Sequence, residues 1–395
     1  MSSLNETPQG ERLHIGLFGK RNAGKSSLLN SLAGQDIAVV SSIKGTTTDP
    51  VYKAMEILPV GPVLLIDTAG IDDSGELGGL RIEKTKSVLR KTDLALLVVD
   101  ACEGLSDEDR SIIDYFKAAH VQYLLVYNKS DLAEERPEDG ICVSCQTGEN
   151  IHELKEKIAE FGKTAERTVR LVADLLCAND VVVLVVPIDK SAPKGRLILP
   201  QQQAIRDILE AGAIAVVTRD AEYSETLKKL NNPPKLVITD SQVFGKIAAE
   251  TPDNIALTSF SILMARYKGV LENAARGAKA VDAIEDGDKI LISEGCTHHR
   301  QCEDIGTVKL PGMIEKYTGK KPVYEFSSGG GFPDDLSGYK LIIHCGGCML
   351  NNREMIHRDH SARDADIPMT NYGVVMSYML GILDRCLAPC TAHYT

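Results

Sequence analysis

The sequence predicts an α/β protein made of three segments, 1–166, 167–267 and 268–395. Three observations predict it: short apolar runs alternate with helical periodicity, a glycine-rich phosphate loop follows the first run, and six of the ten cysteines lie in the last segment. Such alternation is typical of a mostly parallel sheet with helices on both faces. At 395 residues the chain is also too long for one ordinary hydrophobic core.

The predicted elements follow this alternation along the chain. The first segment has strand-like runs at Leu13 to Phe18, Val63 to Ile66, Leu94 to Val99 and Tyr123 to Tyr127, and helical periodicity after Lys25, from Leu80 to Leu89 and from Asp107 to Phe116. The middle segment has strands at Val181 to Val186, Ile214 to Val217 and Leu236 to Thr239, and helices at Gln202 to Glu210 and Glu222 to Leu230. The last segment has strands at Lys289 to Ile292 and Lys340 to His344, and helices at Ala274 to Ala283 and Val374 to Leu383.

The middle segment contains no phosphate loop, metal-ligand cluster or nucleophile motif in its sequence. We therefore expect a small Rossmann-like α/β domain that acts as a spacer or an association domain.

Composition and charge argue against a nucleic-acid-binding, membrane-spanning or secreted protein. A formal net charge of -11 argues against a nucleic-acid-binding surface, which would need clustered Lys and Arg. No apolar run approaches the length of a membrane span. The N-terminus lacks the basic start and apolar stretch of a signal peptide, so ten cysteines should be thiols or metal ligands in a reducing cytoplasm.

A phosphate-binding loop lies between the first strand and the first helix. Residues 19–26 fit the pattern G-x-x-x-x-G-K-[ST] in the strand–loop–helix context that the motif requires. Backbone amides of the loop and the helix N-terminus would hold the phosphates, Lys25 would reach the β- and γ-phosphates, and Ser26 would bind Mg²⁺. The residues predicted to contact nucleotide here are Gly19, Asn22, Ala23, Gly24, Lys25, Ser26 and Ser27.

Two further nucleotide-binding motifs follow later strands, and the second of them identifies the base as guanine. Asp67 begins a D-T-A-G motif that places a carboxylate near Mg²⁺ and the amide of Gly70 near the γ-phosphate. Asn128, Lys129 and Asp131 belong to an N-K-S-D motif, in which the aspartate can accept two hydrogen bonds from guanine that adenine cannot offer. In this order and spacing the three motifs resemble those of the translation-factor class of small GTPases, which implies GTP and GDP as ligands.

The finer resemblance is to the TrmE–Era branch of these GTPases. Residues 45–49, G-T-T-T-D, are similar to the first switch of that branch, which implies that Thr47 binds Mg²⁺, although Thr48 replaces the usual arginine. Ser144 and Cys145 lie where the branch carries its guanine loop, whose backbone contacts the base. Ile71 occupies the position of a water-orienting glutamine, so slow intrinsic hydrolysis is expected.

A set of cysteines in the last segment predicts a metal centre. Cys296 and His298 are two residues apart after one predicted strand, so in an extended chain both side chains face the same side. Cys345 and Cys348 leave a second strand end through two glycines. If both strands end at one edge of a sheet, three thiolates meet there, and such soft ligands suit either iron–sulfur or zinc chemistry.

The combination of C-T-H and H-C-G-G-C motifs with a TrmE–Era GTPase resembles the HydF family of [FeFe]-hydrogenase maturation GTPases. That resemblance implies a [4Fe–4S] cluster held by Cys296, Cys345 and Cys348, with a fourth position that is weakly liganded. His298 is the first candidate for that position, because in an extended chain His344 would point away; a water or a distant carboxylate remains an alternative. The resemblance also implies a homodimer formed through the middle segment.

The family resemblance further implies a scaffold role. Two radical S-adenosylmethionine maturases, HydE and HydG, would build a diiron precursor that this protein hosts and passes to the [FeFe]-hydrogenase apoprotein.

The main alternative function is an RNA-associated TrmE–Era-type GTPase with a structural zinc site; an electron-transfer protein is a second alternative. Cys302 is expected to be a core residue or a spare thiol, Cys386 and Cys390 to be structural, and residues 327–333 to line the cluster or to form a surface loop.

Asn22 generates a prediction about monovalent cations. In the TrmE–Era branch an asparagine at this place in the phosphate loop helps to hold K⁺, although it can also simply stabilise the loop. We expect K⁺ to stimulate GTP hydrolysis relative to Na⁺, because a bound cation supplies charge where other GTPases use an arginine. Phosphate release is to be measured in the two salts at matched ionic strength, and equal rates would contradict the prediction.

Overall fold

The computed structural model describes residues 7–34, 41–43, 50–68, 85–164, 170–188, 197–296 and 305–391. The chain folds into two compact units, Met1–Glu166 and Arg167–Thr395. Each unit is built on parallel sheets with helices packed against them, so the predicted α/β class is confirmed.

The first unit is built on a seven-stranded sheet in the order β2-β3-β4-β1-β5-β6-β7. Its strands are β1 Leu13–Phe18, β2 Ser41–Ile43, β3 Val51–Ile57, β4 Gly61–Asp67, β5 Leu94–Asp100, β6 Gln122–Asn128 and β7 Ile141–Cys142. Strands β4, β1, β5, β6 and β7 run parallel, while β2 and β3 pair antiparallel at one edge. The central strands are apolar because separate hydrophobic cores cover the sheet, one of them around Leu28 and Leu96 and another around Phe116 and Leu97.

Helices of the first unit follow the strand ends. They are α1 Lys25–Ala33, α2 at residues 85–89, α3 Asp107–Ala118 and α4 Ile151–Thr164. The start of α3 is fixed by a capping box, because the Ser106 hydroxyl accepts a hydrogen bond from the Asp109 amide while the Asp109 carboxylate accepts one from the Ser106 amide.

The second unit contains two four-stranded parallel sheets that share one hydrophobic core. The first has the order β11-β10-β8-β9 and the second β13-β12-β14-β15. Their strands are β8 Val181–Val185, β9 Ile214–Thr218, β10 Leu236–Thr239, β11 Ala256–Ser259, β12 Lys289–Glu294, β13 Val323–Ser328, β14 Leu341–His344 and β15 Met369–Asn371. Because Val183 and Ile290 belong to the same buried cluster, the middle and last segments pack together as one unit.

Helices of the second unit connect these strands. They are α5 Leu199–Glu210, α6 Tyr223–Lys229, α7 Phe244–Glu250, α8 Phe260–Tyr267, α9 Leu271–Ala278, α10 Leu310–Thr318, α11 Asn352–Asp364, α12 Tyr372–Met379 and α13 Leu383–Thr391. A π-helical turn, Ile305–Lys309, precedes α10. Among the described residues, no helix has the length and apolarity needed to cross a membrane.

Two predicted helices are wrong in extent. The sequence predicts a helix from Ala274 to Ala283, but α9 ends at Ala278 and a 3₁₀ helix spans Lys279–Ala283. The sequence predicts a single helix from Val374 to Leu383, but α12 ends at Met379 and a separate helix begins at Leu383. Gly381 has a φ of 70°, the left-handed conformation that glycine adopts most readily and that terminates helices. Apolar periodicity continues across Gly381, so the sequence pattern alone does not indicate that the helix ends there.

Close packing of α9 on β15 generates a stability prediction. A Cβ atom added at Gly277 would lie 2.1 Å from the carbonyl oxygen of Met369, whereas one added at Gly312 in α10 meets nothing within 4 Å. We expect Gly277→Ala to destabilise the protein by about 1–3 kcal/mol through overpacking. Gly312→Ala should instead stabilise it by roughly 0.5–1 kcal/mol through higher helix propensity.

Chemical denaturation of both variants and the wild type measures this difference. Equal free energies of unfolding for the two variants would contradict the packing of α9 on β15.

Candidate functional site

The phosphate loop lies at the carboxyl end of β1, where the sequence predicts it. Gly24 caps the N-terminus of α1 with a φ of 93°. Lys25 is 5% exposed, and its ammonium donates hydrogen bonds to the carbonyl oxygens of Gly19 at 2.5 Å and Lys20 at 2.7 Å. The lysine is thereby held across its own loop, while Ser26 and Ser27 are exposed at the start of the helix.

Asn128 joins the phosphate loop to the predicted guanine loop. Its side-chain amide donates to the Ala23 carbonyl oxygen at 3.1 Å, and its side-chain oxygen accepts from the backbone amide of Cys145 at 3.2 Å. The side chain of Cys145 packs against the hydrophobic core, and its backbone amide contacts Asn128. Ser144 is buried, and its hydroxyl accepts a hydrogen bond from the amide of Thr147.

The remaining residues of the N-K-S-D motif lie at the end of β6. Lys129 forms an ion pair of 2.6 Å with Asp100 at the end of the neighbouring strand β5. Asp131 is exposed, as an acceptor for a bound base must be. These residues share an edge of the sheet with the phosphate loop because parallel strands end at a common edge.

Asp67 is the last residue of β4 and pairs with Leu17 of β1, directly beside the phosphate loop. The hydroxyl of the following residue, Thr68, donates to the Leu17 carbonyl oxygen at 2.5 Å and ties the two strand ends together. The predicted switch residue Thr47 and the predicted residues Gly70 and Ile71 lie outside the described residues.

The three cysteines predicted to ligate a cluster lie at one edge of the second sheet of the second unit. Strands β12 and β14 run parallel with Ser293 opposite His344, and the Cys345 amide donates to the Ser293 carbonyl oxygen at 2.9 Å. Cys296 follows β12 by two residues, while Cys345 and Cys348 follow β14. A Cβ atom at Gly295 would lie 3.5 Å from the α-carbon of Gly347, so the two cysteine-bearing loops are in contact.

Two backbone amides donate to the sulfur of Cys345. The amide of Gly295 lies 3.1 Å from this Sγ atom and that of Gly347 lies 3.4 Å from it. Hydrogen bonds to sulfur are among the features that tune iron–sulfur centres. Together with three soft thiol donors on adjoining loops, they are the types of group that surround an iron–sulfur cluster.

Electrostatics show that the thiols affect one another. Burial, and then the neighbouring Cys348, raise the pKa of Cys345 to about 12. Burial, and then the neighbouring Cys296, raise the pKa of Cys348 to about 11. Both groups are therefore protonated at neutral pH in the metal-free protein, and binding a cationic centre must release protons.

His298, the first candidate for the fourth cluster position, lies outside the described residues, as does Cys302, which was expected to be a core residue or a spare thiol. Among the residues that the structure describes, which include Cys296, Cys345 and Cys348, no group of three or more His, Cys, Asp or Glu side chains is arranged to hold a metal ion. Cys386 and Cys390 are 0% and 2% exposed in the hydrophobic core, as expected for structural residues.

His344 is the last residue of β14 and directly precedes Cys345. It is fully buried, and its Nε2 atom lies 2.9 Å from Nη1 of Arg358. Because a guanidinium only donates, Nε2 must accept, and Nδ1–H donates to the Cys345 carbonyl oxygen at 2.8 Å. Burial, and then the charge of Arg358, lower the pKa of His344 to about 3, so the ring is neutral.

Arg358 and its partner Glu354, both on α11, are functional residues that the sequence did not predict. Arg358 is fully buried and donates to Glu354 Oε1 from Nε at 2.9 Å and from Nη2 at 2.7 Å. Helix α11 has weak apolar periodicity, which is why it was not predicted. Its signals were a capping pattern, with Asn351 three residues before Glu354, and the i,i+4 spacing of Glu354 and Arg358.

Three family models match successive parts of the chain. The model for a 50S ribosome-binding GTPase matches residues 14–129. The hydrogen maturase F dimerization domain matches residues 171–269, and the hydrogen maturase F tetramerization domain matches residues 272–389.

Curated relatives match part of the chain. The tRNA modification GTPase MnmE of Streptococcus thermophilus (strain CNRZ 1066) is 38% identical over 157 residues, which are 38% of this chain and 34% of that protein. MnmE of Chromobacterium violaceum is 41% identical over 159 residues, which are 38% of this chain and 35% of that protein. The chain thus spans about a third of the length of these relatives.

Among solved structures, Aquifex aeolicus Era bound to GDP·AlF₄⁻ is 21% identical with a TM-score of 0.32, covering 52% of this chain and 91% of that one.

The nucleotide motifs, their placement on the sheet and the matching GTPase model define the first unit as a P-loop GTPase domain. The two hydrogen maturase F models together match more than half of the chain. The chain therefore belongs to the hydrogen maturase F (HydF) family, which confirms the resemblance found in the sequence.

The contact between the phosphate loop and Asn128 generates a prediction with a matched control. Gly24 and Gly61 have φ values of 93° and 92°, but a Cβ atom would lie 2.0 Å from Asn128 Nδ2 at Gly24 and would meet nothing within 4 Å at Gly61. Alanine at either position should cost about 1–2 kcal/mol of stability for the left-handed backbone. Gly24→Ala alone should weaken GDP binding, by at least about tenfold or 1.4 kcal/mol.

Fluorescent GDP titration and denaturation measure the two effects separately. Equal GDP affinities for the two variants would refute the role of this contact.

Proposed function

We propose that this protein is a GTP-hydrolysing scaffold that binds a [4Fe–4S] cluster and delivers a diiron precursor to the [FeFe]-hydrogenase apoprotein. The observation that carries the proposal is the meeting of the cysteine-bearing loops after β12 and β14 at one sheet edge. Membership of the HydF family supports the same role.

In this proposal the first unit binds GTP and Mg²⁺ at the carboxyl edge of its sheet. The backbone amides from Gly19 to Ser27 cradle the phosphates, Lys25 neutralises the β- and γ-phosphates, and Ser26 and Thr47 bind Mg²⁺ with Asp67 nearby. The Gly70 amide contacts the γ-phosphate. The base is held by Asn128, Lys129, Asp131 and the loop containing Ser144 and Cys145, and Asn22 contributes to a K⁺ site.

The cluster is held by Cys296, Cys345 and Cys348. The high pKa values of Cys345 and Cys348 mean that both thiols become thiolates only when a cationic centre compensates their charge. A cluster with three protein thiolates keeps one exchangeable iron position, where a diiron precursor can bind and later leave. His298 remains the proposed protein ligand of that position.

The middle segment supplies the association surface of a homodimer. Strand β9 is an edge strand, and its Ile214 and Val217 are 49% and 47% exposed. An exposed apolar edge strand is a liability unless it is covered. We infer that a second copy of this chain covers it, in agreement with the dimerization-domain match over residues 171–269. The other proposed partners are HydE, HydG and the hydrogenase apoprotein.

The competing function, an RNA-associated GTPase with a structural zinc site, has support from the MnmE relatives. Those relatives are tRNA modification GTPases, but their match covers only 38% of this chain. The two functions differ in the metal that the protein takes up.

Replacing single cysteines tests the cluster site. After anaerobic reconstitution the wild type should contain about four iron atoms and give the EPR signal of a reduced cluster. Cys345→Ala should lose most of the iron and the signal, because two thiolates remain. Cys386→Ala is the matched control: Cys386 is buried in the core, so this variant should lose stability and keep its iron.

Iron, sulfide and zinc analysis with EPR measures each variant. One tightly bound zinc in the wild type, or iron retained by Cys345→Ala, would refute the proposed cluster site.

A further inference from the structure

Arg358 contacts the carboxyl ends of three neighbouring strands of the second sheet. Its Nη1 atom donates to His344 Nε2 of β14 at 2.9 Å and to the Ser293 hydroxyl of β12 at 3.4 Å. Its Nη2 atom donates to the carbonyl oxygen of Gly329 at 2.6 Å, in the loop that follows β13. Because these strands are adjacent in the order β13-β12-β14, one side chain fixes their relative positions.

All donor nitrogens of this guanidinium have partners. The Nε and Nη2 atoms share Glu354 Oε1, and the Phe332 ring lies 5.0 Å from the guanidinium carbon. A further hydrogen bond from the Ser327 hydroxyl to the Ser293 hydroxyl, at 2.9 Å, joins β13 to β12. Arg358 is 0% exposed, and a buried ion pair is seldom more stabilising than well-packed apolar residues. Stability alone is therefore a weak reason for this arrangement.

The contacts of Arg358 lead directly to Cys345. Both backbone polar groups of Cys345 are held by residues that Arg358 touches: its amide donates to the Ser293 carbonyl oxygen, and its carbonyl oxygen accepts from His344 Nδ1. Cys296 follows Ser293 by three residues. The alignment of the ends of β12 and β14 therefore determines the distance between the first residues of the two cysteine-bearing loops.

We propose that Arg358 is a positioning residue that aligns the ends of β13, β12 and β14, so that Cys296, Cys345 and Cys348 are preorganised for an iron–sulfur cluster. This inference rests on the proposed function. Lysine cannot replace arginine in this role, because an ammonium is a point charge and lacks the planar fork that reaches several acceptors at once. Residues around the direct ligands of metal centres commonly change metal affinity 10–100-fold.

The test compares Arg358→Lys with Arg266→Lys. Arg266 is a matched control because it is also buried, at 7% exposure, and pairs with Asp174 in the same unit. Each protein is reconstituted anaerobically, and three quantities are measured: thermal unfolding of the apoprotein, iron release to a chelator, and EPR of the reduced protein. We expect Arg358→Lys to release iron at least tenfold faster than the wild type and to change the EPR line shape. Arg266→Lys should lose stability while its iron release and EPR spectrum match the wild type.

A second variant covers the case in which Arg358→Lys does not fold. His344→Leu leaves the Arg358–Glu354 pair intact and removes the link to the Cys345 carbonyl oxygen, so it should also speed iron release and alter the EPR spectrum. Wild-type iron release and EPR in a folded Arg358→Lys or His344→Leu protein would overturn the inference alone. If iron release accelerates in both the Arg358 and the Arg266 variants, in proportion to the stability that each loses, the inference is also overturned. A wild-type protein that takes up no iron would overturn the proposed function together with this inference.

Discussion

Hydrogen bonding between the parallel strands β12 and β14 determines where the cysteine site lies. Parallel strands end at a common edge, so the residues after them meet although they are far apart in sequence. The same constraint places three features on one edge of the first sheet: the phosphate loop after β1, Asp67 at the end of β4 and the N-K-S-D motif, which begins at the end of β6. In each unit, the candidate chemistry depends on the direction of the strands.

Both edges are held by a polar side chain that joins neighbouring loops. In the first unit Asn128 connects the Ala23 carbonyl to the Cys145 amide, and in the second Arg358 connects three strand ends. Both side chains are buried, so their hydrogen bonds are shielded from competition by solvent. A rigid edge suits a nucleotide and a metal cluster alike, because each needs several ligands placed at the same time.

Protonated thiols at the second edge add a further constraint. A metal-free site with Cys345 and Cys348 buried side by side resists ionisation, since each thiolate would be poorly solvated and would repel the other. His344 contributes no charge, because it is buried beside Arg358. The charge of the buried Lys268 lowers the pKa of Cys348 but does not outweigh its burial. The remaining compensating charge would come from the bound metal centre, which couples metal uptake to proton release.

The sequence by itself determined the α/β class, most strand positions and the nucleotide motifs, because these depend on local apolar patterns and on residues that are contiguous in the chain. It also predicted that cysteines after two strands would meet at one edge. Only the tertiary structure decided what supports them: Arg358 acts on Ser293 and Gly329, which are 65 and 29 residues away, from a helix with little apolar periodicity. Contacts of that kind leave no local pattern, since they exist only after the sheet has brought distant strand ends together.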